Sequence, residues 1–337
     1  MFDHRHYVPI LRWKEGEMAA LEKLFPSEKT AMTPLLESVK PKDPEVQASE
    51  LGKRWGQNHI FVDQSQTASA TQLGGAYPAN VFFDRCNKLG LSVIPTLRMK
   101  CGKLYKGSVK EAIRRDNLGA CIRLLREDIY REDLSVELES LVSYLGTTPK
   151  FVDLIVDLEI FNQHTYNIAN ILFRLPLLEE WRTLTLASGA FPTDLSRLEV
   201  GVRFLPRFEW NAWLSQLSPS LPRKPTYGDY TSLHPILNVF EGMTPSCSIK
   251  YTTTNDWLIM RGRARKGGHS SEQYYGEAKY LIESEQWCGQ FFSYGDSYIY
   301  ETAQRKKGPG NPTNWLTVGA NHHMTFVAHQ IAEQFNR

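Results

Sequence analysis

From its N-terminus to Thr231 the chain alternates short runs rich in β-branched and apolar residues with longer stretches whose apolar residues fall at helical spacing. Eight strand runs stand out: YVPILR (7–12), AMTPLLESV (31–39), HIFVD (59–63), LSVIPTLR (91–98), ACIRLL (120–125), FVDLIVDL (151–158), RTLTLAS (182–188) and TYGDYT (226–231). Between them lie helical patterns such as EGEMAALEKLF, DPEVQASELGKRW, PANVFFDRCNKL, SVKEAIRRD and EWNAWLSQL. Repeated βα units predict a parallel sheet wrapped by helices. Eight of them predict an α/β fold of the (β/α)8 TIM-like barrel type, for which 337 residues is an ordinary length. No G-x-G-x-x-G follows the first strand, which argues against a doubly wound dinucleotide-binding sheet. Asp43 with Pro44, and Ser108 ahead of VKEAIRR, read as helix starts.

After the eighth unit the pattern changes. SIKYTTTNDWLIMRGR (248–263) reads as a strand pair, and a basic glycine loop, RGRARKGGHSS, follows it. A helix over 271–286, the turn-rich KKGPGNPTN and a terminal helix through VAHQIAEQF complete the chain. The division expected is a barrel over 1–245 and, over 246–337, a C-terminal elaboration of hairpin and helices packed on it rather than an independent domain.

The sixth strand run holds carboxylates where oil is expected. Its period of two puts Val152, Leu154, Val156 and Leu158 on one face and Asp153, Ile155, Asp157 and Glu159 on the other. In a barrel one face of each strand packs on the helices and the other fills the interior, with active sites at the C-terminal strand ends. By that parity the last inward positions are charged in strand after strand: Arg12, Glu37, Asp63, Arg98, Arg123 and Asp157, with Asp229 a candidate on the eighth. Isolated buried charges are costly, so a ring of both signs implies mutual pairing or a wet mouth.

Several motifs refine this picture. Arg12 and Lys14 precede a helix that begins near Glu15, a placement suited to an anion, or else to a rim paired with Glu15 and Glu17. Ser188 in ASGAFP follows the seventh strand, where barrels often cradle phosphate, and Tyr230 can hydrogen-bond a ligand at the eighth. The carboxylates Glu37, Asp63, Asp157, Glu159 and Asp229 present the oxygen ligands that Mg2+ or Mn2+ would take, unless Arg98 and Arg123 neutralise them. HRH (4–6) precedes the first strand, at the pole opposite a catalytic mouth. His322 and His323 are expected at a helix start, with capping or packing roles.

A net charge of +2 falls short of a dedicated nucleic-acid binder, so any basic site is local. Five widely spaced cysteines without a C-x-x-C suit a reduced, cytoplasmic protein. No apolar run reaches the ~20 residues of a membrane span.

YVPILRWKEGEMAAL, TPLLES, FVD, IVDLE, ASGAFP and YGDYTSLHP together resemble the beta protein family, named after a bacteriophage protein and found in bacteria and mobile elements. The resemblance runs along nearly the whole chain. It implies a context of phages and anti-phage defence, and it carries no catalytic residues to transfer.

The sequence therefore points to a hydrolase of phosphate-containing, nucleotide-type substrates. Glu37, Asp63, Asp157 and Asp229 would supply acid, base or metal ligation, and Arg12, Lys14, Arg98, Arg123, Ser188 and Tyr230 would bind the anion. The alternative is a non-catalytic ligand-sensing or partner-binding subunit of a multi-component defence system. Its ligand would be a nucleotide or nucleic acid, and its interface would include the aromatics near Trp257, Trp287 and Trp315.

Overall fold

The computed structural model describes residues 2–67, 77–161, 168–217, 221–236, 246–264 and 271–335. Its strands are β1 (Tyr7–Arg12), β2 (Leu35–Glu37), β3 (Ile60–Asp63), β4 (Val93–Arg98), β5 (Ala120–Leu125), β6 (Val152–Ile160), β7 (Thr183–Gly189), β8 (Gly201–Pro206), β9 (Thr226–Asp229), β10 (Ser246–Thr252) and β11 (Asp256–Ala264). Eight of them close a barrel in the order β1 to β7 and then β9, which pairs back onto β1. Every barrel pairing is parallel. This is the (β/α)8 barrel expected from the alternation.

Strand parity sorts the core into two shells. Val8, Ile10, Leu35, Phe61, Ile94, Cys121, Ile155, Ala187 and Tyr230 pack together inside the barrel. Alternate residues such as Leu11, Leu36, Val62, Leu97, Ile122, Leu154 and Leu186 point outward into the larger core beneath the helices. The pleat leaves no other arrangement for strands buried on both faces.

Helix boundaries follow local chemistry. Asp43 caps the helix Pro44–Trp55 by accepting from the backbone N–H groups of Glu45 and Val46 at 3.0 and 2.9 Å. The expected start at Ser108 is corrected: that helix begins at Lys103, and the Ser108 hydroxyl donates to the Leu104 carbonyl one turn back.

The C-terminal hairpin forms as β10 and β11, antiparallel, and its sheet gains a third strand, β8, from between β7 and β9. The elaboration therefore takes one strand from before residue 245. Most of the basic glycine loop, from residue 265 onward, lies outside the described residues. The terminal helix runs over Pro312–Phe335, far longer than its sequence signal. It lies between the small sheet and the helix Glu15–Glu22. There the Thr317 hydroxyl donates to the Gly16 carbonyl at 3.0 Å and the Asn321 amide to the Ala20 carbonyl at 3.1 Å. A Cβ at Gly16 would meet Leu316 at 2.8 Å, so the bare backbone lets the two helices approach.

Two expectations fail here. His322 and His323 stand mid-helix, both fully buried, instead of at a helix start. Trp257 and Trp315 are core residues, and Trp287 stacks on Tyr251, so these tryptophans do not form an exposed interface. No described helix is long and apolar enough to cross a membrane.

Candidate functional site at the barrel mouth

The strand register aligns the inward charges at the C-terminal end of the barrel. Arg12 pairs in register with Glu37 and Glu37 with Asp63, while Arg98 pairs with Arg123. The strands β1 to β6 thus each deliver an inward charged side chain to the same end of the barrel.

Six of the expected site residues merge there into one hydrogen-bonded lattice. Glu37 Oε1 accepts from Arg98 Nη2 at 2.5 Å and from Arg123 Nη1 at 2.7 Å. Arg98 Nε donates to Asp63 Oδ2 at 2.8 Å. Arg123 donates through Nε to Asp157 Oδ2 at 2.8 Å and through Nη2 to the Tyr230 hydroxyl, also at 2.8 Å. Tyr230 in turn donates to Asp157 Oδ2 at 2.5 Å. Burial opposes the charge on Arg123, but Glu37, Tyr230, Asp157 and Asp63 outweigh it and raise its pKa well above the ordinary value. Burial likewise works against an ionised Asp63, yet Arg98, Arg123 and Ser65 hold its pKa below the usual carboxylate range.

Three strand-end aspartates also fix their own turns. Asp63, Asp157 and Asp229 each accept from the backbone N–H two residues on, at Ser65 (2.9 Å), Glu159 (2.8 Å) and Thr231 (3.0 Å). Glu159 and Thr231 are thereby held at φ 56° in the left-handed region, which side-chain-bearing residues enter at a cost.

Asp229 and Ser188 do not join the lattice. The inward residues of β9 are Thr226 and Gly228, with Tyr230 just beyond, so Asp229 faces out. It accepts from the Tyr7 hydroxyl at 2.5 Å, the Tyr227 hydroxyl at 3.0 Å and His323 Nε2 at 2.7 Å. His323 Nδ1 meets the Thr252 hydroxyl at 2.7 Å, linking barrel, terminal helix and small sheet. Burial holds the His323 pKa below its ordinary value against the pull of Asp229, so a neutral ring donates to an ionised carboxylate. The placement of Asp229 in a catalytic ring is corrected on this parity. Ser188 shares the outward parity of Leu184 and Leu186 and is buried beneath the helices, so its hydroxyl does not reach the mouth.

The lattice does not suit Mg2+ or Mn2+. Both oxygens of Asp63 and of Asp157 already accept N–H or O–H donors, and cations of the protein occupy the ring. Among the described residues no group of three His, Cys, Asp or Glu side chains is arranged to hold a metal.

On the other side of the mouth the charges are arranged differently. Arg12 Nη2 donates to the carbonyls of His234 and Pro235, and its backbone N–H donates to Glu17 Oε1 at 2.8 Å. Glu17 is 1% exposed, and its second oxygen, Oε2, has no hydrogen-bond partner among the described residues. Burial raises its carboxyl to about 7, although Arg12 and Lys14 oppose the shift. Lys250 reaches in from β10, donating to the Ser232 carbonyl at 2.9 Å with its ammonium 4.3 Å from the centre of the Phe191 ring. Burial lowers its amine to about 8, with Glu17 pulling it back up. Lys14 is half-buried, and burial and then Arg12 lower its pKa, with Glu17 pulling it back up.

Sequence reasoning named Glu17 only as a rim partner of Arg12 and Lys14, and missed Lys250. The burial of Glu17 beneath the strand end is not visible in a helix's first turn, and Lys250 lies in a hairpin whose docking partner no local pattern names. A third feature is an open cleft of about 560 Å3 at the ends of β5 and β6, lined by Leu125, Arg126, Glu127, Tyr130 and Glu159. Burial, and then Asp157, raise the Glu159 pKa above its ordinary value.

The Beta protein family model matches residues 7–329. The chain belongs to this family. The matched span takes in β1 through most of the terminal helix, so it covers the barrel and the elaboration of this chain together. No curated protein matches the chain. Among solved structures, alanine racemase of Clostridium difficile 630 in complex with cycloserine is similar at 12% identity and a TM-score of 0.35. That match covers 77% of this chain and 65% of the racemase chain, less than two thirds of its length.

Proposed function

We propose that the mouth is the active site of a hydrolase acting on small phosphate-bearing, nucleotide-type substrates. The observation that carries this reading is the division of charge across one rim. Arg12, Lys14 and Lys250 act on Glu17, with Glu37 also within its electrostatic reach, while Glu159 stands beside Asp157 and the cleft. Cations with a helix start beside them suit a phosphate group. A buried carboxyl poised near 7 suits removal of a proton from an attacking water. Glu37 commits only Oε1 to the arginines and keeps partial contact with solvent, so it is the lattice carboxylate best placed to touch substrate. Asp63 and Asp157, with both oxygens bonded, serve as a rigid platform. The cleft has the volume of a small-molecule site. The half-exposed ring of Tyr130 offers a base a stacking face opposite the one that Arg174 covers.

The test is phosphate release from a panel of nucleoside mono-, di- and triphosphates and simple phosphate esters. Turnover by the wild type, with a loss of about 100-fold or more in Glu17→Gln at unchanged circular dichroism, is the expected result. No release from any member of the panel would overturn the hydrolase reading.

One observation favours a second reading. Arg98 and Arg123 are occupied by the protein's own carboxylates, as in a finished structural element. A ligand-sensing subunit of a phage or anti-phage system, binding a nucleotide without turnover and docking on a protein partner, fits that closure. Saturable nucleotide binding with no product would select it.

A further inference from the structure

Glu159 is turned out of the path its strand sets for it. By parity it follows Ile155 and Asp157 toward the barrel interior, but the pairing of β6 with β7 slips between Asp157 and Ile160, and Glu159 takes a left-handed backbone at φ 56°. Irregularities of this kind re-aim a side chain. Here Glu159 lines the open cleft beside the lattice, together with Leu125, Arg126, Glu127 and Tyr130. Glycine or asparagine would hold that backbone at lower cost, so the carboxylate stands there against local preference.

The cleft is a slot between two neighbouring strand ends. Leu125 of β5 lies in register with Asp157 of β6, so Arg126, Glu127 and Tyr130 follow one strand and Glu159 the next, with strands about 4.8 Å apart at the sheet. Arg126 is within electrostatic reach of Glu159, and Glu127 is tied to Lys100 at 2.9 Å. The Arg174 guanidinium lies 5.7 Å from the centre of the Tyr130 ring. A carboxylate that only accepts, a cation that only donates and an aromatic face therefore line one slot of about 560 Å3.

We propose that this slot binds a guanine base, with Glu159 reading its hydrogen-bonding edge. That edge presents two adjacent donors, N1–H and the N2 amino group, followed by the O6 acceptor. A carboxylate accepts from both donors at once, and Arg126 donates to O6. Adenine, cytosine and uracil each set an acceptor beside a single donor, so Glu159 would meet a lone pair on any of them. The base stacks on Tyr130. This inference rests on the reading that the mouth takes a nucleotide, and it adds which base is chosen and which residue chooses it.

Guanosine, inosine and adenosine, titrated calorimetrically into the whole protein, test it without any phosphate. Inosine lacks the N2 amino group and should bind about tenfold more weakly than guanosine, and adenosine more weakly still. Glutamine exchanges one acceptor for a donor, so Glu159→Gln should prefer adenosine, donating to N1 and accepting from the N6 amino group. Glu159→Gly fits the left-handed backbone, and it should melt no lower than the wild type while losing guanosine binding. Equal affinities for the three nucleosides, a guanosine preference kept in Glu159→Gln, or no guanosine binding to the wild type overturns the inference. None of these outcomes touches the phosphate-release assay, and guanosine-selective binding without phosphate release would leave this inference standing while the hydrolase reading fell.

Discussion

The two sides of the barrel mouth treat charge in opposite ways. Between β2 and β6, Arg98 and Arg123 pair with one oxygen of Glu37 and with Asp63 and Asp157, and Tyr230 donates to Asp157. Between β1 and β10, Arg12 turns to backbone carbonyls, Lys250 donates to the Ser232 carbonyl and, among the described residues, Glu17 Oε2 has no hydrogen-bond partner. The first arrangement pairs opposite charges with one another and ties together the ends of β2 to β6. The second keeps a carboxyl and an amine near neutrality, which is useful only if a ligand or a proton arrives. Completed charge positions the site, and incomplete charge is the site.

The largest effect that bears on this contrast comes from removing the hub of the closed side. Arg123→Met leaves Glu37, Asp157 and Tyr230 buried around an apolar side chain, and roughly 3–5 kcal/mol of stability should be lost in urea melts. A loss below about 1 kcal/mol would mean that the lattice does not act as a unit.

A smaller effect with the opposite sign belongs to the open side. Burial raises Glu17 from 4.5 to about 7, so its contribution to stability is fully present below pH 4.5 and is lost as pH rises through 7. Glu17→Gln escapes that loss. At pH 8 it should be more stable than the wild type by up to roughly 3 kcal/mol, and the gap should vanish below pH 4.5. Equal melts of the two proteins at pH 8 would show that Glu17 is satisfied in a way its orphaned oxygen does not suggest.

Much of this was legible in the sequence, and the physics explains which parts. Parallel strands laid side by side in chain order, with a pleat of period two, suffice to bring Glu37, Asp63, Arg98, Arg123 and Asp157 to one rim, and that convergence is observed. Parity misleads at the barrel's closure. TYGDYT offers polar groups on both faces, so nothing local says that Gly228 and Tyr230 point in while Asp229 points out. The full length of the terminal helix was hidden for a related reason. It is buried on several sides, against the small sheet and the helix Glu15–Glu22, so its apolar residues trace no single stripe and its two histidines looked like an end. β8 was missed because its residues are largely exposed or half-exposed and lack a strand's apolar signature. Lys250 could not be placed at the mouth at all, because its position depends on how the hairpin docks over the barrel. Long-range docking of that kind leaves no periodicity to read.

The division between finished and unfinished charge is tested most directly by the thermal stabilisation that inorganic phosphate confers on wild type, Arg98→Met and Lys250→Met. The account predicts that Arg98→Met melts at a lower temperature yet gains the same increment from phosphate as the wild type, while Lys250→Met gains none. A phosphate increment lost in Arg98→Met and kept in Lys250→Met would contradict it.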